Sequence, residues 1–374
     1  MPPFVLNGRM SLPLELPIDP MLASAVDQIP TDPRFVHEPK WDGFRCIVSR
    51  DGEVIALDGR GKKSLTRYFP EVVDALSDWL PDGAILDGEL IVRAGEPGSQ
   101  RLDWDALSAR IHPAASRIAL LSEQTPAELV FFDALALDGR NLTALVWEQR
   151  REQLESVFST ARGGGHGATG PADLASARAH PGAHLSAVLG DLDEAIRAFE
   201  SFEGAGLDGI VSKPRDSVYQ PGKRGWKKTK HSRTAEAVVI GYRVHKRGHG
   251  VGSLLLGMYD ASGTLLPVGG IGAFSSAMRD QLVEELEPLV VRDASGEPVP
   301  VVRPRSRFSK PDPVASVTLR PELVAEVAFD QLQGVRFRHA VTLLRFRPDR
   351  DARSCLLDQV ERAPSYDLAR VLTD

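Results

Sequence analysis

Lysine becomes a nucleophile only when something lowers its pKa or strips away its water. Lys40 lies in the run Glu38-Pro39-Lys40-Trp41-Asp42-Gly43-Phe44-Arg45, just ahead of a hairpin signal. A loop lysine gripped by such a turn and facing a nucleotide pocket could attack phosphorus. A solvated lysine beside a hairpin has the same local sequence. Further along stand Leu86-Asp87-Gly88-Glu89-Leu90, Val130-Phe131-Phe132-Asp133, Leu207-Asp208-Gly209-Ile210-Val211-Ser212-Lys213 and Trp226-Lys227-Lys228-Thr229-Lys230. Strand alternation puts Lys228 and Lys230 on one face. Two parallel ammonium groups repel unless an anion such as a triphosphate lies between them; two snorkelling surface lysines are the alternative. Asp87 and Glu89 share a face by the same arithmetic, where a carboxylate suits ribose hydroxyls or a divalent metal, or simply ends an exposed strand. Phe132 should face away from its neighbour Asp133, to stack on a base, worth about 1–3 kcal/mol, or to fill a core. Asp208 and Lys213 are an odd number of residues apart. In a straight strand they would point to opposite faces, so either the strand bulges or one of them misses the ligand.

The elements that must carry these residues are mixed in the first two-thirds of the chain. Strands at 44–50 and 53–58 flank the turn signal Asp51-Gly52. Apolar spacing predicts a helix over 68–80, stopped by Pro81-Asp82-Gly83 and followed by strands at 84–92 and 129–137. Helices are predicted at 145–159 and 192–203, with a glycine-rich surface loop at 162–171 between them. After His231 the pattern becomes strands at 236–244, 253–259, 264–270, 323–329 and 340–347, interrupted by one helix at 275–289. Five strands and a helix fit an OB-fold barrel. The reading is therefore α+β, with a first domain over 1–232 and an all-β second domain over 233–374 that includes the C-terminal tail.

At 374 residues the chain is long enough to bury a core in each of two or three domains. No apolar run reaches membrane-spanning length, and no basic region followed by an apolar stretch opens the chain. Cys46 and Cys355 have no partner at zinc-finger spacing, which argues against a disulfide or a structural zinc site. A cytoplasmic monomer without membrane attachment is expected. The net charge of −6 argues against indiscriminate coating of nucleic acid but leaves room for local basic grooves. One candidate groove gathers Lys223, Arg224, Lys227, Lys228, Lys230 and Arg233 with no acid among them. A second gathers Arg336, Arg338, Arg345, Arg347, Arg350 and Arg353, offset by Asp349 and Asp351. Solvated charged faces would look alike; segregation within an acidic chain favours polyanion sites.

Taken in order, and closed by Arg345-Phe346-Arg347-Pro348-Asp349-Arg350, these segments resemble the motifs of the covalent nucleotidyltransferases, specifically the ATP-dependent DNA ligases. The likeness is to the small bacterial two-domain type called LigC and to the ligase modules of LigD-type repair proteins. It implies an adenylation domain of antiparallel sheets with flanking helices, then an OB-fold. It implies that Lys40 takes AMP from ATP, that Glu38 reads the adenine amino group, and that Phe132 stacks on the base. Lys228 and Lys230 would contact the α-phosphate, with Lys213 also at the nucleotide. Arg45 and Arg60 would bind phosphate, including the 5′-phosphate of a nick. Glu89 would bind the nucleotide ribose or, with Asp208, serve Mg2+ or Mn2+, although the family more often has glutamate where this chain has Asp208. Asp349 and Arg350 would orient pyrophosphate from the second domain. The implied partners are nicked duplex DNA and a recruiter such as Ku or a primase-polymerase.

An RNA ligase or an mRNA-capping guanylyltransferase would share the lysine chemistry, but a carboxylate at Glu38 would repel the guanine carbonyl. A non-catalytic nucleic-acid-binding scaffold is the reading from another class; every polar motif position here is still chemically competent. The turn Lys246-Arg247-Gly248-His249-Gly250 is expected to contact the DNA backbone, an ordinary flexible hairpin being the alternative.

Overall fold

The computed structural model describes residues 5–6, 9–10, 12–112, 114–160, 179–180, 182–301, 315–360 and 363–373. The glycine-rich stretch at 162–171 lies outside them. The chain divides into two compact units, Met1–Lys230 with Ala363–Asp374, and His231–Arg362.

In the first unit the strands Ala127–Leu137, Ile85–Ala94, Phe44–Asp51 and Val54–Gly59 lie side by side, all antiparallel. Asp51 pairs with Val54 across a tight turn where Gly52 has φ +60°, as the local Asp-Gly signal demands. Both faces of this sheet are covered, and alternate residues feed two different cores. Cys46, Val48, Leu90, Leu129 and Phe131 enter one, where helix Trp147–Thr160 contributes Leu154, Val157 and Phe158. Ile47, Ile91 and Val130 enter the other, against Ile210 and Trp226 of a second sheet and Ala198 and Phe202 of helix Leu192–Phe202. That second sheet runs Leu22–Ala25, Arg224–Lys230, Gly209–Pro214, Phe35–Pro39. The two sheets thus face one another across the core that holds the motif residues. The strands at 22–25 and 35–39 and the helices Trp104–Ala109 and Ala115–Gln124 were not anticipated.

The expected helix at 68–80 is shorter, Pro70–Ser77, and follows a single 3-10 turn at Thr66–Tyr68. The C-terminal segment also departs from expectation, since residues from Ala363 onward belong to the first unit. Leu368, Val371 and Leu372 are buried in its core, and Leu368 N–H donates to the Gln100 carbonyl at 2.8 Å.

The second unit is an antiparallel sheet ordered Leu265–Ile271, Val251–Tyr259, Arg233–Val244, Val324–Phe329, Thr342–Phe346. A sixth strand, Ser316–Thr318, pairs with the far half of Arg233–Val244. Ile271 bridges in parallel to Val341, which brings the two ends of the order together into an OB-fold barrel. Helix Ser276–Leu286, capped by Ser275, packs Leu282 and Leu286 into its core. Cys46 and Cys355 are buried free thiols. Among the described residues no helix is long and apolar enough to cross a membrane.

Candidate nucleotide-binding site

Lys40 directly follows strand Phe35–Pro39, and its backbone is clamped at both ends to the start of the neighbouring strand. Its N–H donates to Gly209 O at 2.8 Å, and its carbonyl accepts from Asp208 N at 3.0 Å. The Lys40 Nζ lies 2.7 Å from Asp208 Oδ2, and Lys230 Nζ lies 2.9 Å from the same oxygen. The two lysines and the desolvated aspartate share charge. Burial would raise the Asp208 carboxyl, but Lys40 and Lys230 hold it below the usual range. Gly43 is required by close approach, because a Cβ there would sit 1.9 Å from the Leu90 carbonyl oxygen.

Across the cleft, register sets Arg45 opposite Glu89, while the Arg45 guanidinium reaches diagonally to Asp87. Two bonds, Nε to Oδ1 at 2.5 Å and Nη2 to Oδ2 at 2.6 Å, hold it there. Asp87 is fully buried and is Arg45's anchor. Desolvation opposes the Arg45 charge, yet the ion pair with Asp87 drives its pKa well above the ordinary value. Glu89 Oε1 accepts from Gly43 N–H at 3.2 Å. Burial pushes its carboxyl up to about 7, more than Arg45 and Lys40 offset.

Phe132 lines the cleft, with Arg45 4.7 Å and Lys213 4.8 Å from its ring centroid. Trp226, unassigned from sequence, packs edge-on to Phe132 at 6.2 Å and lines the cleft as well. Asp133 points away into a buried ion pair with Arg150, Oδ1 to Nε at 2.7 Å. Lys213 is buried; its Nζ pairs with Glu38 at 2.8 Å and donates to Phe132 O at 2.9 Å. The parity conflict between Asp208 and Lys213 disappears because Asp208 precedes the strand. Gly209, at φ +129°, turns the chain there, and a Cβ at that residue would lie 2.1 Å from Thr229 O. Glu38 is buried too. Burial raises its carboxyl, opposed by Lys213 and Arg151.

Lys228 and Trp226 face the cleft together, as alternation required. The anion between the lysine pair is not wholly left to a ligand, however, since Asp208 already engages Lys230. Among the described residues the Lys228 ammonium has no ion-pair or hydrogen-bond partner, while its backbone carbonyl accepts from Val26 N–H at 3.0 Å. Burial, then the charges of Lys40, Lys230 and Arg224, lower its pKa. Arg60 is exposed at the cleft wall, just after strand Val54–Gly59.

In the second unit Asp349 pairs with Arg347 at 2.8 Å, and Arg350 lies 3.0 Å from Glu236. Arg345 pairs with Glu326, and Arg347 with Glu236 and Glu326. Three of the six arginines expected there as a basic groove, Arg345, Arg347 and Arg350, are therefore paired with carboxylates. Glu236 and Glu326, remote in sequence, face each other in register on adjacent strands beneath them. Lys246 and Arg247 occupy an exposed turn closed by His245 N–H to Gly250 O at 2.8 Å.

The family model described as ATP dependent DNA ligase domain matches residues 20–230. That described as ATP dependent DNA ligase C terminal region matches residues 247–350. The chain is 44% identical over 371 residues to DNA ligase C1 of Mycolicibacterium smegmatis, covering 98% of this chain and 100% of that protein. It is 42% identical to DNA ligase C of Mycobacterium tuberculosis, covering 97% of this chain and 99% of that one. A solved structure from a study of Lig E DNA ligases shares the fold, with a TM-score of 0.53 at 15% identity, over 87% of this chain and 99% of that one. With both units matched, and full-length relatives above 40% identity, the chain belongs to the ATP-dependent DNA ligases.

Proposed function

We propose that this enzyme seals nicks in duplex DNA through a lysine–AMP intermediate formed on Lys40, in the service of DNA repair. The observation that carries this reading is the Lys40 Nζ, held 2.7 Å from Asp208 in a cleft lined with cations. In the first step Lys40 Nζ gives up a proton and attacks the α-phosphorus of ATP. The N–P bond forms as the P–O bond to pyrophosphate breaks. Lys228, short of a protein anion, and Lys230, releasable from Asp208, would take up charge on the α-phosphate. Glu38 would accept from the adenine amino group with the oxygen that Lys213 leaves open, and Phe132 and Trp226 would flank the base. The AMP then passes to the 5′-phosphate of the nick, where Arg45 and Arg60 supply positive charge. The 3′-hydroxyl displaces AMP to join the strands.

The cleft suits a divalent cation. Glu89, pushed up to about 7 by burial that Arg45 and Lys40 only partly offset, would gain from a further cation, and Asp208 adds a second carboxylate. Mg2+ and Mn2+ are commonly held by one or two carboxylates together with substrate oxygens. Glu89 and Asp208 would hold the ion, which neutralises triphosphate charge when bound. Asp349 and Arg350 would orient pyrophosphate, and Lys246 and Arg247 would contact the DNA backbone. Recruitment by Ku or a primase-polymerase, and a cytoplasmic location on the nucleoid, rest on family resemblance alone.

Sealing assays on matched nicked DNA and nicked RNA, with ATP and Mg2+, test the proposal. Joining is expected for DNA. Faster joining of RNA would replace it with an RNA ligase.

A further inference from the structure

Arg45 is held by more than Asp87. Tyr219, outside every motif read from the sequence, donates its hydroxyl to Asp87 Oδ2 at 2.6 Å. The same hydroxyl accepts from Met21 N–H at 2.9 Å, and Arg45 Nη2 returns to Met21 O at 3.1 Å. The four residues close a ring of hydrogen bonds: Met21 N–H donates to Tyr219 Oη, Tyr219 donates to Asp87, and Arg45 donates both to Asp87 and to Met21 O. Asp87 and Tyr219 are buried, while Arg45 keeps about a fifth of its side chain exposed at the cleft. Tyr219 is itself fixed, by its N–H to Thr143 O at 2.9 Å and by edge packing on Trp226 at 6.1 Å. The ring occupies Arg45 Nε and Nη2, the guanidinium lies over the Phe132 and Trp226 rings, and among the described residues Nη1 has no hydrogen-bond partner.

We infer that Tyr219 is a positioning residue for the ligation reaction: acting through Asp87, it holds the Arg45 guanidinium with Nη1 left for a substrate phosphate. The inference rests on the phosphate role proposed above for Arg45. An arginine on an exposed strand end would sample many rotamers. Here the carboxylate that could rotate with it is pinned by a second donor, and that donor is pinned by backbone. The ring also ties the guanidinium to Met21, the residue that leads into the cleft-lining strand Leu22–Ala25. Small displacements of a positioned charge cost rate out of proportion to their size.

The test is a double-mutant cycle on full-length protein, comparing wild type, Tyr219→Phe, Arg45→Ala and the double variant. Single-turnover self-adenylation and sealing of a pre-adenylated nick are both read, well below the lowest melting temperature of the four. Tyr219→Phe is expected to slow at least one of these steps about tenfold, with the loss in kcat more than in KM. In the Arg45→Ala background it should cause no further loss, a coupling that a merely structural tyrosine would not give. Asp87→Asn cuts the same ring one link along, and serves as the second variant if Tyr219→Phe does not fold. Unaltered rates for Tyr219→Phe, or equal losses with and without Arg45, would overturn the inference alone. Wild-type rates for Arg45→Ala would overturn it together with the phosphate role of Arg45.

Discussion

Two regions of this molecule are rich in cationic side chains, and they hold them differently. In the cleft of the first unit the pairs are buried: Lys213 with Glu38 at 1% and 2% exposure, Arg45 with a fully buried Asp87. Such pairs contribute little net stability after desolvation, but breaking one partner is costly, so they lock geometry. In the segment 345–350 of the second unit the outer pairs face water, with Arg345 64% and Arg350 38% exposed, while Arg347 is 21% exposed on half-buried Glu236 and Glu326. Pairs of that kind are typically worth about 0–1 kcal/mol and exchange readily. A cleft of locked pairs and a surface of exchangeable ones are therefore built from the same kinds of side chain. Burial of the carboxylate partners, 0–4% exposed in the cleft and 19% or more in the segment, separates them rather than charge density.

The largest effect is expected at the nucleophile. Lys40→Ala should abolish self-adenylation while the protein stays folded, and should retain part of its sealing of a pre-adenylated nick, which needs no lysine nucleophile. Radiolabel retained at the wild-type level would remove Lys40 from its role. The exchangeable region comes next. Asp349→Ala or Arg350→Ala should slow self-adenylation by about a hundredfold, the scale of one lost transition-state contact, and slow sealing of pre-adenylated DNA far less. Equal losses in both steps would make segment 345–350 structural and erase the contrast drawn between the two regions.

Glu89 sharpens the contrast through pH. Its folded carboxyl is raised to about 7 from an ordinary 4.5, with burial as the leading cause. Between those values the unfolded chain has lost the proton and the folded chain keeps it, so stability falls as pH rises across the window and levels off above it. Glu89→Gln, which cannot ionise, should gain melting temperature relative to wild type from about pH 4.5 to about pH 7, without nucleotide or metal. Parallel curves would mean that the cleft does not desolvate Glu89. The smallest effect belongs to the exposed turn. Replacing Lys246 and Arg247 with alanine should weaken nick binding and flatten its salt dependence by about one phosphate contact per charge, leaving self-adenylation unchanged. An unchanged salt slope would leave the turn an ordinary hairpin.

What could be read from sequence was local or strictly periodic. The Asp51-Gly52 hairpin, the shared face of Trp226 and Lys228, and the order of motifs around Lys40 all follow from neighbours in the chain. What could not be read depends on partners far away. Tyr219 meets Asp87 across 132 residues, and Arg150 takes Asp133 across 17. Glu236 and Glu326 pair with Arg345, Arg347 and Arg350, whose own segment offers only Asp349 and Asp351 as counter-charges. The Asp208–Lys213 puzzle came from treating 208–213 as one straight strand, whereas Gly209 at φ +129° breaks it. The C-terminal segment carries no signal of where it docks, because Leu368, Val371 and Leu372 would suit either core.

The central claim, that Lys40 is the residue adenylated, is tested most directly by locating the adduct. Purified enzyme incubated with ATP and Mg2+, and separately with GTP, would be digested under conditions that preserve phosphoramidates and mapped by mass spectrometry. The expected result is one AMP on the peptide containing Lys40, released by added pyrophosphate, with no GMP adduct. AMP on a different lysine, such as Lys228 or Lys230, or an equal GMP adduct on Lys40, would contradict it.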